Sequence, residues 1–340
     1  MEKIINQLLE YVKKSKSIVV IGHENPDGDA VGSVLGLYIL LKQMGKNAWA
    51  VFPNNVPDFL KWVPHFNEAI FYNNDNQIIE EIFQKCEIIF CLDFNERKRV
   101  GKMQYLLENS KATKILIDHH PYPDSFFDIL ISEQEVSSTA ELVYTVIELC
   151  QWTTYINKEV AENLFTGIMS DTISFNVNAS RPKTYEIAAR LLQYGLNKEK
   201  IHRNIFNSFT QQRMRMLGYA LHKKMKIIHE YATGYIYLSK NELQEFCFQK
   251  GDTEGFVNYP LSIKGIRFAA LFLERDEYIK ISFRSVGNIP VNEIMAKHFS
   301  GGGHKNAAGG EAKNVSLEEC INQFESILPL YKDILLNEED

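Results

Sequence analysis

Apolar residues recur at helical spacing at Ile4, Ile5, Leu8, Leu9 and Val12, which predicts an amphipathic helix at the start of the chain. Short apolar runs of strand character follow at 17–21, 48–52, 88–92 and 114–117. Between them, 30–44 reads as a helix closed by Gly45 as its C-cap, and 77–85 as another. Strands alternating with helices predict βαβ units, hence an α/β domain with a mostly parallel sheet flanked by helices. From 138 to about 225 the pattern is helical almost throughout. The last third changes character. Runs at 226–231 and 234–238 flank Ala232-Thr233, and runs at 268–273 and 278–283 flank Glu274-Arg275-Asp276-Glu277, so two hairpins are expected there. Helices are expected at 291–299 and 317–328. The division that follows is an α/β domain over 1–190, a helical linker over 191–215 and a smaller α+β domain over 216–340.

Composition narrows the partners. The 340 residues, 45% hydrophobic and 24% charged, are those of a globular protein of two domains. Lys and Arg number 37 against 43 Asp and Glu, a net charge of −6. Proteins that grip long duplex nucleic acid carry a basic surplus, so a long polyanion is not the expected partner, while a short anion held in one local basic pocket stays open. The five cysteines form no CxxC pair and read as reduced thiols packed in the core of a cytoplasmic protein. No apolar run is long enough for a membrane span, so no membrane partner is expected.

The chemistry collects at strand ends. The first run leads into His23 and Asn25-Pro26-Asp27-Gly28-Asp29, the third into Asp93, and the fourth into Asp118-His119-His120. Ligands of open α/β sheets bind at such carboxyl ends. A fourth acid, Asp171, closes an apolar helical stretch. A turn or helix cap accounts for one such aspartate. Four sites together, two with histidine, would repel one another unless cations compensated them. Oxygen donors mixed with imidazole and free of thiolate favour Mn²⁺ or a similar ion. Two ions fit the count. His23 and Asp27 converge with Asp93 on one, while Asp29, His119 and Asp171 meet the other side of Asp93, and a bridging hydroxide would serve as nucleophile. Asp118 reads as the residue that orients a neighbouring ligand, with direct ligation left open.

His23-x-x-x-Asp27-x-Asp29, the lone Asp93, Asp118-His119-His120 and Asp171 together resemble the four motifs of the DHH phosphoesterases, in order along the chain. The resemblance implies two Mn²⁺ ions on His23, Asp27, Asp29, Asp93, His119 and Asp171, with Mg²⁺ or Co²⁺ as substitutes. It also implies that His120 lies beside the scissile phosphate, where a protonated imidazole stabilises charge or protonates the leaving oxygen. Asp93 and His120 are thus the catalytic candidates. One departure stands out: many members carry glycine where this chain has Ile173, which is expected to alter the local backbone but not the metal chemistry.

Downstream, Gly301-Gly302-Gly303-His304 opens a glycine-rich segment whose N–H groups can turn toward an anion, with a following helix N-terminus adding a favourable dipole. It resembles the substrate loop of the DHH-associated C-terminal domain, and Arg284 matches that family's substrate arginine. Arg97 reads as a solvated helix charge rather than a phosphate contact. The resemblance is greatest to the bacterial group that includes bifunctional oligoribonucleases (nanoRNases) and pAp phosphatases, in which the cleft between domains takes a nucleotide. The expected activity is hydrolysis of oligonucleotides of about two to five units, RNA or DNA, and of 3′-phosphoadenosine 5′-phosphate. A homodimer is compatible with this reading. Cyclic di-AMP or linear-dinucleotide phosphodiesterase activity is the alternative. A manganese pyrophosphatase, a processive exonuclease and a non-catalytic nucleotide sensor are disfavoured, the last because all six metal positions are filled by competent residues.

Overall fold

An apolar run can serve as a central strand only if both of its faces are covered, and the helical stretches of the first half do this. The computed structural model describes residues 2–72, 77–249 and 251–337. Its chain divides into two units, Met1–Ser208 and Phe209–Asp340. The first unit comprises α1 (Glu2–Lys14), β1 (Ser17–Ile21), α2 (Gly28–Gln43), β2 (Asn47–Phe52), β3 (Ile70–Phe71), α3 (Gln77–Lys85), β4 (Ile88–Leu92), α4 (Gln104–Asn109), β5 (Thr113–Asp118), β6 (Ile129–Ser132), α5 (Thr139–Leu149), α6 (Lys158–Asp171), α7 (Pro182–Leu192) and α8 (Lys198–Phe206). Six strands form one sheet in the order β3-β2-β1-β4-β5-β6, and every pairing is parallel. The short strands β3 and β6 were not among the runs expected to form strands.

Alternation within each strand sorts side chains to two cores. Ile18, Val20, Phe90, Ile115 and Ile117 face the helices α1, α2, α5 and α6. Val19, Ile21, Ile89, Cys91 and Leu116 face Ile79, Phe83, Met103 and Leu107 on the other side. The helix α2 is buried from Gly28 to Leu41. It crosses α6 so closely that a Cβ on Gly32 would meet the Asn163 carbonyl at 2.4 Å and the Gly167 nitrogen at 2.7 Å. Helix α2 begins two residues earlier than the apolar pattern suggests because Asp27 caps it, accepting from Asp29 N and Ala30 N.

The expected linker 191–215 is divided by the structure. Leu191, Leu196, Ile201 and Ile205 pack into the core of the first unit, so α7 and α8 complete that unit and the boundary falls at Ser208.

The second unit comprises α9 (Gln211–Tyr219), running into a π-helical turn at Ala220–Lys224, then β7 (Met225–Ile228), β8 (Thr233–Leu238), α10 (Lys240–Glu245), β9 (Phe268–Glu274), β10 (Tyr278–Ser285), α11 (Val291–His298), β11 (Ser300–His304), β12 (Ala307–Lys313), α12 (Leu317–Ile327) and α13 (Lys332–Leu336). Its sheet has the order β11-β12-β10-β9-β8-β7. Both expected hairpins form, and β8 pairs with β9 in parallel. The core is aromatic. Phe324 of α12 places its ring 5.2 to 5.8 Å from those of Tyr235, Phe268, Phe272 and Phe283, distances suited to edge-on and tilted contacts. All five cysteines are free; four are buried, as expected, and Cys247 is exposed. Among the described residues no helix is long and apolar enough to cross a membrane.

Candidate metal centre

The strand order of the first sheet reverses at β1, whose neighbours are β2 on one side and β4 on the other. At such a reversal the loops leaving adjacent strands diverge and open a crevice. Strand β1 delivers His23 there, β4 delivers Asp93, and β5 ends at Asp118 and leads to His119 and His120. Asp27 and Asp29 enter on the first turn of α2, and Asp171 on the last residue of α6. A carboxylate at a helix C-terminus is disfavoured by the dipole, so its placement needs another source of positive charge. Asp93 is held at φ 65°, a left-handed backbone that turns the chain sharply off the end of β4.

These side chains converge in two groups that share Asp93. On one side His23 Nε2 lies 3.5 Å from Asp93 Oδ2 and 3.9 Å from Asp27 Oδ1. On the other, His119 Nε2 lies 3.6 Å from Asp171 Oδ2, 3.7 Å from Asp93 Oδ1 and 4.0 Å from Asp29 Oδ2. Such separations exceed hydrogen-bond length. They approach the spacing of neighbouring ligands around a cation with bonds of about 2.0–2.2 Å. The Nδ1 of His23 meets the Glu24 carbonyl at 2.8 Å and must donate to it, so the neutral ring offers a bare Nε2 to the carboxylates. Lone pairs thus face lone pairs across a small gap. A divalent cation is the group this donor set fits.

The remaining histidine has its own partner. His120 Nδ1 lies 2.7 Å from Asp118 Oδ1 and 3.8 Å from Asp93 Oδ1. Asp118 is wholly buried, and its Oδ2 has no hydrogen-bond partner. Electrostatics follow from burial and crowding. Asp29 has its pKa pushed well above the usual carboxylate range, first by burial and then by Asp93, Asp171 and Asp27. Burial alone would raise Asp93 too, but the imidazoles of His23, His120 and His119 hold it below its ordinary value. Burial opposes charging of His23, and Asp93 and Asp27 outweigh it, so its pKa is raised.

Sequence reasoning missed the N-terminus of α5. Thr139 N and Ala140 N donate to Asp29 at 2.6 and 2.9 Å, and Thr139 Oγ1 donates to Asp93 Oδ1 at 2.8 Å. Ser138 caps the helix by accepting from Glu141 N. Glu141, wholly buried, accepts from Ser137 N, Ser137 Oγ and Thr184 Oγ1. The signal was present as Ser-Ser-Thr ahead of an apolar run with Glu three residues past the cap. Arg97, in turn, is engaged by Glu108 at 3.1 Å and Asp124 at 3.5 Å.

In the second unit the glycine-rich segment is not the loop expected ahead of a helix. Gly301, Gly302 and Gly303 lie in β11, paired with Gly310, Gly309 and Ala308 of β12, so a strand follows them and no helix dipole is added. Tight pairing excludes side chains there: a Cβ on Gly301 would meet the Gly309 carbonyl oxygen at 2.2 Å. Gly302 and Gly309, side by side, have open space instead and leave two strands with bare backbone. His304 ends β11. Arg284 sits on β10 opposite Ala307, half-buried, its Nη1 donating to the Phe283 carbonyl.

The sequence profile described as the DHH family, N-terminal domain, matches residues 17–168, and that of the DHHA1 domain matches residues 232–335. The bifunctional oligoribonuclease and PAP phosphatase NrnA of Bacillus subtilis is 27% identical, the alignment covering 89% of this chain and 91% of that protein. The cyclic-di-AMP phosphodiesterase PdeA of Listeria monocytogenes is 27% identical over 97% of this chain, which spans 50% of that longer protein. The crystal structure of an exopolyphosphatase-related protein from Bacteroides fragilis superposes with a TM-score of 0.95 at 40% identity, covering 99% of this chain and 98% of the other. The chain therefore belongs to the DHH family, as a hydrolase carrying that family's N-terminal domain and a DHHA1 domain.

Proposed function

We propose that this protein is a divalent-metal-dependent phosphoesterase, with Mn²⁺ the best-fitting ion, that releases mononucleotides from very short oligonucleotides and dephosphorylates 3′-phosphoadenosine 5′-phosphate. The observation that carries the reading is the position of Asp93 between two carboxylate–imidazole groups, its Oδ2 3.5 Å from His23 Nε2 and its Oδ1 3.7 Å from His119 Nε2. His23, Asp27 and Asp93 would hold one cation, and Asp29, His119 and Asp171 the other, with Asp93 common to both. Divalent cations at these positions supply the positive charge that offsets the carboxylates and acidifies water.

The chain's own residues do the rest. The Glu24 carbonyl fixes which nitrogen His23 presents. Asp118 fixes His120 through Nδ1, so that its other nitrogen can donate a proton to the leaving oxygen. Arg284 brings paired N–H groups suited to a phosphate, and Gly301, Gly302 and Gly303 bring backbone without side chains, followed by the imidazole of His304. A net charge of −6 suits a substrate with few phosphates. The NrnA relative supports the oligonucleotide and PAP reading, and the PdeA relative supports cyclic di-AMP as a second one.

The test is product release from pApA, a pentaribonucleotide, a longer RNA, pAp, cyclic di-AMP and pyrophosphate, in Mn²⁺ and in chelator, with Asp93→Ala alongside. Mononucleotide from pApA and the pentamer, lost in chelator and in the variant, is the expected result. Preferential turnover of cyclic di-AMP would install the second reading. Turnover of pyrophosphate alone would overturn both.

A further inference from the structure

Directly after His120 the chain reads Pro121-Tyr122-Pro123-Asp124. Of the large hydrophobic residues described, none is more exposed than Tyr122, at 83%. Its φ is 57°, in the left-handed region that non-glycine residues occupy at a cost. The proline that follows steers it toward extended backbone as well, so the observed conformation is doubly disfavoured.

The loop is nevertheless braced in this shape. Asn95 Nδ2 donates to the Pro121 carbonyl at 2.7 Å, and Asp124 N donates to the Asn95 carbonyl at 2.7 Å. The Asp124 carboxylate meets Arg97 Nε at 3.5 Å, and the Arg97 guanidinium lies 5.2 Å from the centre of the Phe126 ring. These braces come from the segment that leaves Asp93, so the loop is tied to the candidate metal centre at both ends. Yet the ring it displays makes no hydrogen bond or ring contact with any described residue. Strain and bracing spent on holding an unpartnered aromatic in solvent are accounted for by a ligand that uses the ring.

Position identifies the ligand. Only Pro121 separates Tyr122 from His120, so their Cα atoms are at most about 7.6 Å apart, within the span from the phosphate to the base of one nucleotide. We propose that Tyr122 is a stacking platform for the base of the nucleotide whose phosphoester lies at the Asp93 cluster. This rests on the nucleotide reading above and adds a subsite to it. Every base has a π-face, so such a platform is tolerant of base identity, and a loop backbone braced before binding loses little freedom on contact.

The test compares pApA with its abasic analogue, the same sugar–phosphate chain without bases, for wild type, Tyr122→Ala, Tyr122→Phe, Tyr122→Trp and Tyr122→Gly in Mn²⁺. The wild-type preference for pApA in kcat/KM is expected to fall about tenfold in Tyr122→Ala, chiefly through KM, and to survive in Tyr122→Phe and Tyr122→Trp. Tyr122→Gly is expected to lose the preference while its Tm rises, because glycine accepts the left-handed backbone without strain. A merely structural tyrosine would move the two in the same direction. An unchanged preference in Tyr122→Ala, with pApA still turned over, overturns this proposal alone, as does an equal loss in Tyr122→Phe. Absence of any nucleotide turnover by the wild type overturns the nucleotide reading, and this proposal with it.

Discussion

Ile173, Ser174 and Phe175 follow Asp171-Thr172 with φ of 46°, 58° and 65°. Hydrogen bonds from Ser174 N to the Met169 carbonyl and from Phe175 N to Thr172 Oγ1 hold this left-handed turn against its intrinsic cost. Ile173 stands where glycine was expected from the family pattern, and it takes a backbone that glycine would accept freely. Ile173→Gly is therefore expected to stabilise the protein by about 0.5–1 kcal/mol, the relief of β-branched strain exceeding the entropy glycine adds to the unfolded chain; a urea unfolding midpoint checks it. His65 is a second left-handed residue, at φ 60°. Its Nδ1 meets Glu68 at 2.8 Å and its Nε2 meets Glu159 at 2.9 Å, while Tyr38 donates to Glu68. Burial opposes charging of His65, but Glu159 and Glu68 outweigh it and raise its pKa. The stabilisation is then fully present below the unfolded-chain value near about 6.5 and is lost as pH rises through the raised folded value. Relative to His65→Gln, the wild type should gain on the order of 0.5 kcal/mol at acidic pH and nothing at alkaline pH, the pair being partly exposed to solvent. Chemical denaturation of both proteins across that range reads this directly.

Among the elements, α5 acts on the candidate site while contributing none of the expected ligands. Its first two N–H groups occupy both oxygens of Asp29, and the Thr139 hydroxyl takes one oxygen of Asp93. The helix N-terminus carries positive potential, which opposes part of the rise that burial and the neighbouring carboxylates impose on the Asp29 carboxyl. Thr139 is thus a positioning residue. Thr139→Val removes the hydroxyl but keeps volume and the backbone donors. It is expected to weaken Mn²⁺ binding about 10- to 100-fold, as loss of a ligand's hydrogen-bond partner does, whereas Thr139→Ser restores it. Calorimetric titration with Mn²⁺ measures the difference independently of turnover. Gly167 protects the same contact from behind, since a Cβ there would meet Asp29 Oδ1 at 2.8 Å.

For the whole molecule, buried Asp29, Asp93 and Asp118 gathered at one crevice work against folding until their charge is offset. Cations that bind the folded state alone stabilise it by mass action, by about 2.7 kcal/mol at a concentration one hundred times Kd. Thermal unfolding in Mn²⁺ should therefore occur at higher temperature than in chelator, and Asp93→Ala should abolish that shift. An unchanged Tm on adding Mn²⁺ would speak against the cation assignment.

What the sequence determined alone is whatever local pattern encodes. Apolar runs broken by polar strand ends placed β1, β4 and β5 and put His23, Asp93 and Asp118-His119-His120 at their carboxyl ends. The hairpins β7–β8 and β9–β10 were legible for the same reason, since alternation and turn residues lie close together in the chain. Tertiary structure decided what depends on distant partners. Two-residue β3 exists only because β2 offers it an edge. The boundary at Ser208 reflects what α7 and α8 pack against, which helical periodicity does not specify. The glycine run became a strand because β12 returns beside it, a pairing between segments that no local propensity fixes. Thr139 reaches Asp29 and Asp93 across 110 and 46 residues of chain. Such contacts are products of the assembled sheet and its helices, because side chains that meet only through a fold leave no period in the sequence.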